Sequence, residues 1–163
     1  MEIRDATPTD IVAITQIYGR SVVEETASFE LTPPAEDEML SRMKAVVDGG
    51  YPYLVAQLDG VVAGYAYASA FRTRPAYHAT VENTVYVAPQ SQRHGVGKAL
   101  LEALIDECRL RGFRQMVAGI GGAKNMASIR LHEACGFKMV GHFREVGFKH
   151  DQWLDVFFMQ RAL

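Results

Sequence analysis

Two cysteines in 163 residues, Cys108 and Cys135, are too few for a disulfide framework, and their separation fits neither CxxC nor zinc-type spacing. Their scarcity points to a reducing compartment. No apolar run approaches the roughly 20 residues of a membrane span, and the opening MEIRDATPTD has no apolar core of a signal peptide. Charge of one sign is also lacking: 17 basic against 19 acidic side chains give a net charge of -2. Such a field would attract neither nucleic acid nor an anionic membrane, so any anion site has to be local. No repeat, low-complexity tract or Pro/Ser-rich linker divides the chain. Length and a 48% hydrophobic content suit one globular domain, residues 1–163, soluble and cytoplasmic.

Hydrophobic periodicity predicts the order β-α-α-β-β-β-α-β-α-β-β. A short strand at Ile3 to Arg4 precedes a helix opening at Thr9 or Asp10, where Ile11, Ile14, Ile17 and Tyr18 recur at helical spacing. A second helix runs from Ala35 to Asp48 and stops at Gly49-Gly50. Strands Tyr53 to Gln57 and Val61 to Phe71 are joined by Asp59-Gly60, a hairpin signal, and a third runs from Ala79 to Ala88, closed by Pro89. Helix Gly97 to Arg111 aligns Leu101, Leu104, Ile105 and Cys108 on one face, which makes Cys108 core. Strand Gln115 to Ile120, helix Asn125 to Ala134 and strands Lys138 to Val146 and Trp153 to Gln160 follow. Hairpins before a strand-helix-strand crossover imply an α/β (α+β) fold with a mixed, mostly antiparallel sheet and helices on both faces.

The chemistry-bearing stretch is VYVAPQSQRHGVGKALL, residues 85–101, where a strand turns into a helix through Gly95 and Gly97. A helix N-terminus presents unpaired N–H groups, glycines remove Cβ atoms that would hold an anion away, and Arg93, His94 and Lys98 add local charge. The same glycines also serve a plain tight turn. Two nucleotide motifs fail. Ala99 follows Gly97-Lys98 where a P-loop needs Ser or Thr, and Lys124 replaces the third glycine of a dinucleotide fingerprint after Gly119.

V-x-V-x-P-x-x-Q-R-x-x-G-x-G resembles the acetyl-CoA motif of the GNAT superfamily of N-acetyltransferases, and Asn125-x-x-Ser128-x-x-x-His132-Glu133-x-x-Gly136-Phe137 resembles its second cofactor segment. YPYLVA (51–56), RPAY (74–77), TVENTVYV (80–87), RLHEACGF (130–137) and GFKHDQW (147–153) look like the phosphinothricin and methionine sulfoximine N-acetyltransferase subfamily. The resemblance implies a GNAT fold and acetyl-CoA as co-substrate. It implies that Val85, Tyr86 and Val87 receive pantetheine as a pseudo-strand, and that Arg93, His94, Gly95, Val96, Gly97 and Lys98 hold the diphosphate.

Acetyl transfer to an amine needs a neutral nitrogen, and an amino-acid α-amino group is largely protonated at pH 7, so a base is required. The resemblance assigns that role to Glu82, directly or through one water, and an oxyanion-stabilising N–H to Val87. His132, where most of the superfamily has tyrosine, either protonates the leaving thiolate or donates a hydrogen bond in helix packing. Asn125 and Ser128 fall on the cofactor side, Asn125 alternatively as a helix N-cap. Arg72 and Arg74 are candidates for the acceptor's carboxylate, with Phe29, Tyr77, Thr84 and Trp153 around the acceptor. Tyr65 and Tyr67 read as sheet packing. The five histidines show no ligand spacing, so no metal is expected. The implied reaction is acetylation of a small amino acid or analogue by a homodimer. Another amine acceptor (a protein N-terminus or polyamine) and a non-catalytic acyl-CoA sensor are the alternatives.

Overall fold

A computed structural model describes residues 1–122 and 125–163; Ala123 and Lys124, the latter weighed above against a dinucleotide fingerprint, lie outside the described residues. The described chain runs β1 (Glu2–Asp5), α1 (Ile11–Glu24), α2 (Glu36–Asp48), β2 (Tyr53–Leu58), β3 (Val61–Ala70), β4 (Thr80–Val87), α3 (Val96–Leu110), β5 (Gln115–Gly121), α4 (Met126–Ala134), β6 (Lys138–Lys149) and β7 (Gln152–Ala162). The order is the predicted one. Most ends lie within a residue or two of the prediction, with β6 extending three residues further because its pairing with β7 continues to Lys149↔Gln152.

The strands form one sheet in the order β1-β2-β3-β4-β5-β7-β6. All neighbours are antiparallel except β4 and β5. Strand alternation sends side chains to two separate cores. On β2, Tyr53 and Val55 pack with Ile11, Ile14, Ile17, Met39 and Met43 of α1 and α2. Leu54 and Ala56 pack on the opposite face with Leu100, Leu101, Leu104, Ile105 and Cys108 of α3. Cys108 is fully buried, and burial pushes its thiol up to about 12, so it is core as its helical spacing indicated.

The site depends on where β4 and β5 part. Their parallel ladder covers only Thr80↔Gln115, Val81↔Met116 and Glu82↔Val117. Beyond it β4 stays paired with β3 as far as Val87↔Gly64, while β5 pairs with β7 as far as Gly121↔Val156. The sheet therefore forks after Glu82.

Candidate active site

Each residue of a strand offers its N–H and C=O to one edge, alternating along the chain. Ala88 N–H donates to Ala63 O at 2.9 Å and Thr80 O accepts from Phe71 N–H at 3.3 Å, so the even-numbered residues of β4 face β3. Asn83 still reaches Val117 of β5 through the last rung of the β4–β5 ladder, so Val85 and Val87 are the residues that direct their backbone groups into the fork. Buried backbone groups require partners, and a row of them along an open edge suits an extended chain carrying amides.

The fork opens into a cleft of about 730 Å³ lined by Val85, Tyr86, Val87, Arg93, Gly95, Val96, Gly97, Lys98, Asn125 and Ser128, among others. The structure thus brings together almost every residue expected on the cofactor side. At its rim, Arg93 and Gly95 adopt left-handed backbone with φ +64 and +79 before α3 begins at Val96. For Arg93 that conformation costs about 1 to 3 kcal/mol. Arg93, Gly95, Val96 and Gly97 line the cleft at this helix N-terminus, where free N–H groups favour an anion. A Cβ at Gly97 would lie 3.3 Å from Leu131 and 3.4 Å from Val87 Cγ2, so glycine there keeps α3 close to β4 and α4. These features fit the pantetheine-diphosphate arm of a coenzyme A thioester.

Three expected residues behave differently in detail. Exposed His94 turns its ring onto its own loop, Nδ1 donating to Gln92 O at 2.8 Å, so it braces the turn. Tyr86 uses its backbone on β3, and its ring packs at 5.6 Å on Tyr65 and 5.1 Å on Tyr18, forming a wall of the cleft. Asn125 occupies the N-cap position of α4 without capping it; its Nδ2 donates instead to Gly121 O at 3.4 Å.

Glu82 stands at the apex of the fork, on the sheet face shared with Thr84 and Tyr86. Burial raises its carboxyl above the ordinary glutamate value, and the nearby Arg72 charge partly opposes that rise. Gly119 of β5 makes room for it: a Cβ there would lie 3.0 Å from Glu82 Oε1. Two residues further along the same face, a Cβ on Gly121 would meet the Phe29 ring at 2.6 Å, and Phe29 also covers Gly147 of β6. The glycines that fail as a nucleotide fingerprint are spaces for Glu82 and Phe29.

Phe29 belongs to the α1–α2 loop, which is tied to β6 by the buried Lys149, whose Nζ donates to Ser28 O at 2.7 Å. Burial lowers the Lys149 pKa against the pull of Glu25 and Glu30. Arg72 lies over the Phe71 ring at 5.0 Å, and Tyr77 meets the same ring edge-on at 5.7 Å. Arg74 is exposed ahead of a 3-10 turn at Pro75–Tyr77. Trp153 does not line the cleft. It is 62% exposed on the β6–β7 hairpin and packs on Phe148 at 5.1 Å, because its register opposite Phe148 points it outward.

His132 lies on the other sheet face from Glu82, 4% exposed, with both ring nitrogens occupied. Nδ1 meets Ser128 O at 2.7 Å and, since a carbonyl only accepts, carries a hydrogen. Nε2 meets Asn83 Oδ1 at 3.0 Å, while Asn83 Nδ2 donates to Val117 O at 3.4 Å. That orientation of the amide calls for a hydrogen on Nε2 as well; in the neutral ring the carboxamide turns and donates to Nε2 instead. Burial disfavours the charged ring and lowers its pKa below the usual histidine value. Gly119, Asn83 and Lys149 went unassigned in the sequence. Asn83 and Lys149 lay inside quoted motifs, but only their contacts reveal what they do.

With this geometry in view, the sequence model of the Acetyltransferase (GNAT) family matches residues 15–137, and the chain belongs to that family. It is 48% identical over 154 residues to a phosphinothricin N-acetyltransferase of Alcaligenes faecalis, covering 94% of this chain and 78% of the relative. It is 42% identical over 163 residues to an L-methionine sulfoximine/L-methionine sulfone acetyltransferase of Salmonella typhimurium, covering 100% and 95%. The crystal structure of a phosphinothricin acetyltransferase from Sinorhizobium meliloti in complex with AcCoA superposes with a TM-score of 0.97 at 50% identity, covering 99% of this chain and 88% of that one.

Proposed function

We propose that this protein transfers acetyl from acetyl-CoA to the α-amino group of a small amino acid or analogue of the phosphinothricin or methionine sulfoximine type, with Glu82 as general base. The observation that carries the reading is the fork: Val85 and Val87 present to the cleft backbone groups that no described strand pairs, and Glu82 stands at its apex. Acetyl-CoA supplies an activated acyl group, and the chain's own residues hold and orient the reactants. Backbone groups of Val85 and Val87 align the pantetheine arm, and the turn from Arg93 to Lys98 receives the diphosphate. Asn125 and Ser128 flank the thioester end.

Glu82, with its raised pKa, takes the proton that frees the amine lone pair, directly or through one water. The Val87 N–H offers its hydrogen to the carbonyl oxygen as charge collects there. Arg72 and Arg74 pair with the acceptor's carboxylate, and Phe29, Tyr77 and Thr84 border its side chain. The buried ring of His132, with both nitrogens engaged, leaves protonation of the thiolate to solvent. A homodimer belongs to the same reading, supported by the outer edge of β6 and by exposed Val140, Phe143, Val146, Phe148 and Trp153.

An acceptor screen with phosphinothricin, methionine sulfoximine, methionine sulfone, ordinary amino acids, a polyamine and a peptide N-terminus tests the proposal by thiol release from acetyl-CoA. Turnover is expected on the amino-acid analogues. Release on the polyamine or peptide alone would reassign the acceptor, and no release on any would refute transfer.

A further inference from the structure

The first residue past the β4–β5 ladder is Asn83, and its side chain is 7% exposed. One carboxamide reaches two elements: Val117 O on β5 at 3.4 Å and His132 Nε2 on α4 at 3.0 Å. His132 is in turn fixed by Ser128 O at 2.7 Å, and Ser128, with Asn125 at the start of the same helix, lines the cleft. We propose that Asn83 is a positioning residue for acyl transfer, whose carboxamide pins the fork of the sheet to α4 through His132 and so fixes how the Glu82 carboxylate stands relative to the cleft along Val85 and Val87. The inference rests on the acetyl-transfer reading above.

Chemistry favours this role over mere space filling. A buried amide and a buried imidazole are expensive unless their hydrogen bonds are met, and an apolar pair would fill the space without setting an angle. Leucine has the branching and heavy-atom count of asparagine but no polar atom, and ionised aspartate has the shape but only accepts. Asparagine alone among these can serve Nε2 in either protonation state of the ring, accepting from it while Nδ2 holds Val117 O, or donating to it with the Val117 O contact given up, so the link from β4 to α4 persists in both. The other neighbours, Ser128 and the Phe137 ring edge-on at 5.0 Å, are not ionisable, so among the described residues no carboxylate holds the ring in place. Because the fork angle places one reactant against the other, small shifts at its apex are costly in rate.

The test compares Asn83→Leu, Asn83→Asp, His132→Phe and the double variant Asn83→Leu/His132→Phe. The measurements are kcat and KM with any acceptor the wild type uses, acetyl-CoA Kd by calorimetry, and ¹⁵N NMR of the His132 ring. Asn83→Leu and Asn83→Asp should each lower kcat about tenfold while acceptor KM stays within about threefold, and Asn83→Leu should weaken acetyl-CoA about fivefold. Asn83→Asp should raise the His132 ring pKa, since a carboxylate favours the imidazolium. The double variant should be no slower than the slower single variant, as residues acting as one unit are not additive. A kcat within twofold of wild type in Asn83→Asp, which is isosteric and keeps the site filled, overturns the proposal. Losses that multiply in the double variant, or an unchanged acetyl-CoA Kd in Asn83→Leu, do so too. A wild type inert toward every acceptor refutes the acetyl-transfer reading instead, and the ring pKa and acetyl-CoA affinity then still decide the role of Asn83.

Discussion

The two halves of β4 belong to one unbroken strand and do different work. Thr80 to Glu82 is clamped on both edges, by β3 and β5, and Val81 within it is fully buried. Thr84 to Val87 is paired on the β3 edge alone, and Val85 to Val87 line the cleft. A strand held on both edges is a fixed reference, while a strand with one free edge is a template for another extended chain. Glu82 sits at the boundary, so its carboxylate is held by the rigid half and directed at what the open half binds.

The largest expected break in this comparison is Glu82→Gln, which removes the base without changing shape. Turnover should fall by about 10²- to 10⁴-fold, with acetyl-CoA affinity by calorimetry unchanged. Retained turnover at saturating acceptor would remove Glu82 from the mechanism.

Proline substitutions separate the two edges next. Val87→Pro deletes an N–H that faces the fork, so pairing with β3 should survive and kcat should drop about 10²-fold, the scale of losing one oxyanion donor. Tyr86→Pro deletes an N–H that faces β3 and should instead lower the melting temperature. Equal effects on stability would show that the edge assignment is mistaken.

Gly119→Ala tests the boundary more gently. The new Cβ would press on Glu82 Oε1 from 3.0 Å, and the flexible carboxylate would swing aside. About a tenfold loss of kcat is expected without loss of thermal stability; a full-rate variant would mean that the present rotamer of Glu82 is not the working one.

The smallest effect concerns pH. As the proposed base Glu82 is needed ionised, so kcat/KM should fall as pH drops through its pKa, which burial places above the ordinary glutamate value. Arg72 lowers that pKa, so Arg72→Met should move the acidic limb of the rate profile to higher pH. A shift to lower pH would contradict the sign of the Arg72 interaction.

The helices, hairpins and anion turn were readable because they rest on local rules: a 3.6-residue period in α3, Asp59-Gly60 between β2 and β3, Gly95 ahead of a helix. Asp59 and Gly60 indeed both take positive φ, 50 and 80. Glu82 was singled out by resemblance and Arg72 by its charge in the loop ahead of it. Gly119 stood in the sequence only as part of a nucleotide fingerprint that fails, and neither its space for Glu82 nor the outward turn of Trp153 was visible, since each depends on which neighbour stands across the sheet.

By itself the sequence determined the order of elements, the two-faced sheet and the glycine turn into α3, because periodicity, turn residues and helix starts are properties of adjacent residues. Only the tertiary structure decided that the β4–β5 ladder ends at Glu82, that Glu82 and His132 lie on opposite faces, and that Asn83 bridges the opening. Those facts depend on register and splay between strands more than thirty residues apart in sequence, and no local pattern encodes the point at which two strands part.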